Sequence, residues 1–157
     1  MTTHQVLITR DIDAPRDLVF AAWSDLKHLL RWYSPRGCDI AFRSFEFREG
    51  SPFHSCIRTP SGKECWCMGH YRQIIKPELI EFTMIVCNEH QQALEPVNAG
   101  MDPDWPQETV VTVEFADLNG RTRLTLRQTV DDALAKRTGA HPGWLQMLDR
   151  LAEHLTK

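Results

Sequence analysis

The sequence has no concentration of positive charge. Its 18 Lys and Arg residues are outnumbered by 21 acidic residues, the formal net charge is −3, and no basic run is present. Binding to nucleic acid or to an acidic membrane surface requires clustered Lys and Arg side chains. We therefore predict that neither nucleic acid nor a membrane is a partner of this chain.

Long apolar segments are also missing. Residues 1–5 lack the charged and apolar regions of a signal peptide. No apolar run approaches the roughly 18 residues of a membrane-spanning helix. The five cysteines are an odd number and include no Cys-x-x-Cys pair, which argues against a disulfide framework and against a standard zinc site. We expect a cytoplasmic protein with reduced thiols, no bound metal and no cofactor.

The composition that remains is that of an ordinary globular protein. Hydrophobic residues make up 42% of the 157 residues and charged residues 25%, and the sequence shows neither an internal repeat nor a low-complexity segment. This length fits one domain with a sizeable core. We predict a single domain over residues 1–157, large enough to hold a cavity beside its core.

Apolar periodicity predicts a run of strands with helices at both ends. A first strand around Val6–Arg10 is followed by two short helices, Pro15–Ser24 and Leu26–Trp32. Residues 88–108 are rich in Pro, Asn and Gly and predict a long loop, which in a compact domain is often functional. The remaining predicted strands are Cys38–Phe47, Phe53–Arg58, Glu64–Tyr71, Glu78–Val86, Thr109–Ala116 and Arg121–Val130.

The C-terminal segment has helical periodicity from Gly143 onward. Apolar residues recur on one face, at Trp144, Met147, Leu148, Leu151 and Leu155. We interpret the preceding Lys136, Arg137 and His141 as part of a solvated loop. Because strands follow one another and helices stand at the ends, the fold class is α+β with an antiparallel sheet.

Four ordered segments of the chain carry a family resemblance: Ile12–Trp23, Leu30–Pro35, Glu108–Val113 with Thr122–Leu126, and His141–Trp144 with Leu148–Leu151. Together they resemble the SRPBCC superfamily of START-like domains, in the branch homologous to the activator of the heat-shock protein 90 ATPase. The resemblance implies a helix-grip fold: a curved antiparallel sheet of about six to seven strands around a long C-terminal helix, with two short helices after the first strand. It also implies a cavity between sheet and helix, which relatives use for lipids, polyketides, hormones and other apolar molecules.

The wall of such a cavity can be assigned from strand alternation and from the apolar helix face. Aromatic and aliphatic residues lining it would favour an apolar guest, and His70 would be its candidate general base. The residues expected to bind the ligand are Trp32, Phe53, His70, Met84, Trp144, Met147, Leu148 and Leu151.

A second cluster of interest is formed by cysteines and a histidine on one predicted hairpin. A connection of two or four residues would place Cys56 opposite Cys67, with His54 and Cys65 on the same face, as in a soft-metal or redox site. A three-residue turn would destroy that alignment. The simpler interpretation is that these are small buried thiols.

Three functions are compatible with the sequence. The first is a protein that binds an apolar or aromatic small molecule. The second is a cyclase- or dehydratase-type enzyme acting on a polyketide-like substrate, although no catalytic triad or acid–base pair is evident. The third is an interaction domain that modulates a chaperone ATPase. The sequence leaves the oligomeric state open, a homodimer included.

Overall fold

The computed structural model describes residues 4–156, which form seven strands, four α-helices and one short 3-10 helix. In chain order the elements are β1 Gln5–Ile12, α1 Arg16–Ser24, α2 Leu26–Trp32, β2 Asp39–Ser44, β3 Pro52–Arg58, β4 Glu64–Ile75, β5 Leu79–Val86, the 3-10 turn Pro96–Ala99, β6 Glu108–Asp117, β7 Thr122–Asp131, α3 Asp132–Thr138 and α4 Ala140–Leu155.

All seven strands belong to one antiparallel sheet. Its order is β1-β7-β6-β5-β4-β3-β2, so that the first and last strands of the chain are neighbours at one end. We call the face that carries Phe53, Val111 and Leu126 the inner face, because these side chains join the central apolar cluster together with α1, α2 and α4. This arrangement confirms the predicted α+β helix-grip fold.

Helix α4 lies at the centre of that cluster. Leu148 and Leu151 are fully buried, and Trp144 and Met147 are nearly so. Arg150 donates hydrogen bonds from Nη1 to the Ser34 carbonyl oxygen over 2.6 Å and from Nη2 to the Arg31 carbonyl oxygen over 2.9 Å. The apolar face therefore packs the helix against the core, and the arginine attaches it to the end of α2.

Helix α3 occupies a segment for which the sequence predicted a loop. The Asp131 carboxylate accepts a hydrogen bond from the Leu134 backbone N–H, and Leu134 and Ala135 are buried. Seven residues with two buried side chains give too weak a period to recognise in the sequence. A left-handed Gly139, with φ of 90°, ends α3, and α4 then begins at Ala140, three residues before the predicted start.

Among residues 4–156, no helix combines the length and the apolar character needed to cross a bilayer.

Candidate functional site

A cavity of about 180 Å³ opens on the inner face where β3, β4 and β5 meet the long loop before β6. We call it the main cavity. Met101 and Trp105 of the loop cover one side, and Tyr33 at the end of α2 covers another. Its lining residues are Tyr33, Phe53, Ser55, Ile57, Cys65, Trp66, Cys67, Met84, Ile85, Val86, Met101, Trp105, Thr109 and Gln128.

The covering loop is attached to α3 by ion pairs. Arg137 Nη2 lies 3.2 Å from Asp102 Oδ2 and 3.4 Å from Asp104 Oδ2. The Asp104 backbone N–H and then the Arg137 guanidinium lower the pKa of Asp102. Arg137, expected in a solvated loop, therefore helps to position the residues that cover the cavity.

Gln128 places a buried amide on the cavity wall. Its Oε1 accepts a hydrogen bond from Trp144 Nε1 over 2.9 Å, and its Nε2 donates to Thr109 Oγ1 over 3.1 Å. An indole N–H can only donate, so this contact fixes the orientation of the amide. The polar groups of Gln128 and Thr109 are thus largely engaged with the protein.

A second, much smaller space of about 20 Å³ lies deeper in the aromatic core. We call it the inner cavity. It shares Tyr33 and Phe53 with the main cavity, and its full lining consists of Trp23, Leu29, Tyr33, Phe42, Phe53, Tyr71, Ile80 and Phe82. The two cavities therefore meet at a common wall of aromatic side chains.

Residues that line the inner cavity carry polar groups without protein partners among the residues described. Trp23 Nε1 is buried without a hydrogen bond. Burial raises the pKa of the Tyr33 phenol well above its ordinary value, and the nearby Cys67 thiol and Tyr71 phenol raise it further. Burial also raises the pKa of Tyr71. Both phenols therefore remain neutral hydroxyl groups at physiological pH.

The thiol on the wall of the main cavity is neutral as well. Burial raises the pKa of Cys67 to about 12, and the nearby Cys87 thiol contributes a smaller increase. Desolvation also raises the pKa of the Cys65 thiol. Since the thiolate is the reactive form of cysteine, neither group is activated as a nucleophile.

The predicted binding residues are divided between cavity and core. Phe53 and Met84 line the main cavity. Trp32 is fully buried and donates its indole N–H to the Ala22 carbonyl oxygen over 2.9 Å, so it is a core residue. The α4 residues Trp144, Met147, Leu148 and Leu151 are also in the core, and none of them lines either cavity.

His70 lies on the outer face, not in the cavity. The register pairs Phe53 with Gly69, and Pro52 with His70, so Gly69 has the inward position expected for the histidine. A Cβ atom at Gly69 would lie 1.9 Å from the Thr83 carbonyl oxygen, because β4 and β5 approach closely there. The exposed His70 contacts Thr83, with 3.3 Å between its Nδ1 and Oγ1. The prediction that His70 faces the cavity was therefore wrong by one residue, since the inward position belongs to Gly69.

The predicted alignment of Cys56 with Cys67 does not occur. The Thr59 N–H donates to the Lys63 carbonyl oxygen over 2.9 Å, which closes a three-residue turn. The register consequently pairs Cys56 with Trp66, and Ser55 with Cys67. Cys56 therefore lies on the opposite face of the sheet from Cys67.

His54 belongs to the outer face together with Cys56. Its Nε2 lies 3.1 Å from the Asn88 carbonyl oxygen, to which it donates, and its ring centroid is 5.0 Å from that of Trp66. In the described part of the chain, no group of three or more His, Cys, Asp or Glu side chains is arranged to hold a metal ion.

Several residues that line the two cavities were not identified from the sequence, among them Gln128, Thr109, Met101, Trp105 and Tyr71. Gln128 has a recognisable signal, since it is a polar residue in the inward series of β7, between Leu126 and Val130. Met101 and Trp105 belong to the long loop that the sequence marked as often functional, but which of its residues face the cavity depends on the whole fold.

Comparisons with solved structures agree with this architecture. A crystal structure of a protein from Chromobacterium violaceum is 21% identical, with a TM-score of 0.80, 98% of this chain and 97% of that chain being covered. A solution structure of a protein from Arthrobacter aurescens is 22% identical, with a TM-score of 0.81 and coverage of 96% and 84%. The AHSA1 protein of Silicibacter pomeroyi is 20% identical, with a TM-score of 0.75 and coverage of 97% for both chains.

At these identities the solved structures establish the fold alone. Comparison with curated proteins gives no match. The family described as Activator of Hsp90 ATPase homolog 1-like protein matches residues 13–156, which is nearly the whole chain. The chain therefore belongs to the Activator of Hsp90 ATPase homolog 1-like family, within the SRPBCC superfamily, whose fold is in general a ligand-binding one.

Proposed function

We propose that this protein binds a small, uncharged, apolar or aromatic molecule in the main cavity. The observation that carries the proposal is the chemistry of the wall. Apolar and aromatic side chains predominate, and the polar side-chain groups are hydroxyls, thiols, indole N–H groups and one amide. Within residues 4–156, no Asp, Glu, Lys, Arg or His lines the main or the inner cavity.

The size of the space restricts the occupant further. Pockets for drug-sized ligands measure about 300–1,000 Å³, whereas an engineered apolar cavity of about 150 Å³ holds benzene. The main cavity, at about 180 Å³, is closer to the second case. The favoured occupant is therefore a molecule of one or two rings.

Binding is a better supported role than acid–base catalysis. A general acid or base must come within hydrogen-bond reach of the substrate, and His70, the residue proposed for that role, is exposed on the other face of the sheet. The neutral Cys67 thiol is likewise unsuited to nucleophilic attack.

Naphthalene is a suitable probe, because it is neutral, apolar and has two rings. We expect ligand-observed saturation-transfer NMR to detect its binding to the wild-type protein. Met84→Trp should abolish the signal, since Met84 lines the main cavity and an indole would fill much of the space. Native mass spectrometry of freshly purified protein would identify a natural occupant directly.

Met68→Trp is the matched control. Met68 lies on the neighbouring strand, opposite His54 and therefore on the outer face, so the same substitution there should leave naphthalene binding unchanged. A folded Met84→Trp protein that binds naphthalene as well as the wild type would contradict the assignment of the ligand to this cavity.

A further inference from the structure

We propose that the ligand carries a neutral carbonyl-type oxygen that enters the inner cavity and accepts hydrogen bonds from Trp23, Tyr33 and Tyr71. This inference rests on the proposed function, and it specifies the chemical class and the orientation of the ligand. The ring would occupy the main cavity, and the oxygen would reach the inner cavity beside Tyr33 and Phe53, which line both spaces.

The first argument is the unpartnered indole of Trp23. Its side chain is only 3% exposed, and Nε1 has no hydrogen-bond partner. Buried polar groups in folded proteins are nearly always satisfied, because an unmade hydrogen bond is not replaced by water. Trp32 and Trp144, in the same aromatic cluster, both donate their indole N–H, so Trp23 is the exception that calls for an external acceptor.

The second argument is the presence of two phenols at the same space. Tyr33 and Tyr71 line the inner cavity, Tyr71 is 6% exposed, and within residues 4–156 neither hydroxyl hydrogen-bonds to the protein. The two phenols are close enough for Tyr71 to affect the pKa of Tyr33. Because both phenols line this space and neither is engaged elsewhere in the described chain, each is available to an acceptor that enters it.

The chemistry of the acceptor follows from the charges and from the volume. An indole N–H cannot accept, so the incoming group must. A carboxylate would be buried without a cation, which is strongly unfavourable, since no Lys, Arg or His of the described residues lines either cavity. At about 20 Å³, the inner cavity has room for about one oxygen atom or one water molecule. A neutral carbonyl oxygen meets all three conditions.

Two probes of nearly identical shape test this. Acetophenone carries a carbonyl oxygen where α-methylstyrene carries a methylene group. In the Tyr33→Phe/Tyr71→Phe double variant we expect the affinity for acetophenone, measured by NMR titration, to fall at least fivefold, which is roughly the contribution of one net hydrogen bond. The affinity for α-methylstyrene should change by less than about twofold, because no hydrogen bond is lost.

Ser44→Ala is the control for the loss of a hydroxyl. Ser44 is exposed and lines neither cavity, so this variant should bind both probes as the wild type does. Benzoate, the charged analogue, should bind none of these proteins measurably.

The indole resonance of Trp23 gives a second readout, which needs only wild-type protein. Acetophenone should shift this N–H signal downfield in a ¹H–¹⁵N spectrum, whereas α-methylstyrene should not; Trp23→Phe assigns the signal among those of the five tryptophans. If the double variant weakens both probes equally, or both probes shift Trp23 alike, the inner cavity holds only a buried water and the inference is wrong. If naphthalene, acetophenone and α-methylstyrene all fail to bind, the proposed function itself is overturned.

Discussion

At the scale of single residues, Gln128 is the buried polar side chain that holds the wall of the main cavity together. It is 3% exposed and connects Trp144 of α4 to Thr109 of β6 through two hydrogen bonds. An apolar side chain of similar size would fill the same space. It would, however, leave the Trp144 indole and the Thr109 hydroxyl without their partner.

We therefore expect Gln128→Leu to lower the free energy of unfolding by about 1–3 kcal/mol, the usual cost of leaving a buried donor unsatisfied. Urea denaturation would measure the difference. Gln73→Leu, at an exposed position on β4, is the control and should stay within about 0.5 kcal/mol of the wild type. Equal stabilities of the two variants would show that the Gln128 amide contributes nothing to the fold.

At the scale of elements, α4 is the helix that the sheet, α1 and α2 enclose. Its apolar face is packed against the core and leaves no unfilled space there. The main cavity therefore lies beyond the helix, under the loop before β6. Ion pairing of Arg10 on β1 with Asp149 on α4 adds a contact at the sheet edge. The helix thus has a structural role, while strands and loop form the cavity.

Replacing Leu151 with Ala should cost about 2–5 kcal/mol of stability, because the side chain is fully buried and the deletion leaves a void. Chemical denaturation is the measurement. Leu145 lies on the same helix but is 41% exposed, so Leu145→Ala should cost less than about 1 kcal/mol. A loss below about 0.5 kcal/mol at Leu151 would mean that the sheet does not grip the helix.

At the scale of the whole molecule, buried thiols couple stability to alkaline pH. Burial raises the pKa of Cys67 from its ordinary 9.0 to about 12 in the folded state. The unfolded chain releases this proton first as the pH rises. The stabilising contribution is therefore complete below pH 9 and is lost progressively toward pH 12.

From pH 9 to 10, this single thiol should cost the wild type about 1 kcal/mol of unfolding free energy relative to Cys67→Ala. Denaturation at both pH values gives the difference. Ser55→Ala, at the cross-strand partner of Cys67, removes no titrating group and should follow the wild type. If the unfolding free energies of the wild type and Cys67→Ala changed equally between pH 9 and 10, the pKa of Cys67 would not be raised in the folded state.

Local sequence patterns predicted the order of the seven strands and of α1, α2 and α4, the antiparallel α+β fold and the apolar face of α4. Each of these follows from local periodicity: a period of two residues for a half-buried strand and of about 3.6 for the helix at Trp144, Leu148 and Leu151. The ordered resemblance to the family spans the same elements, and for that reason it could be recognised before any contact was known.

Which side chains meet depends on the tertiary structure. Strand register depends on turn geometry, and a shift of one residue reverses the face; the turn after Arg58 thus separated Cys56 from Cys67, and the phase of β4 placed Gly69 inward and His70 outward. The position of the cavity was equally beyond the sequence. Unfilled space is what remains after all side chains of the core have packed, so only the complete fold shows that it lies beside Met84 and not beside Met147.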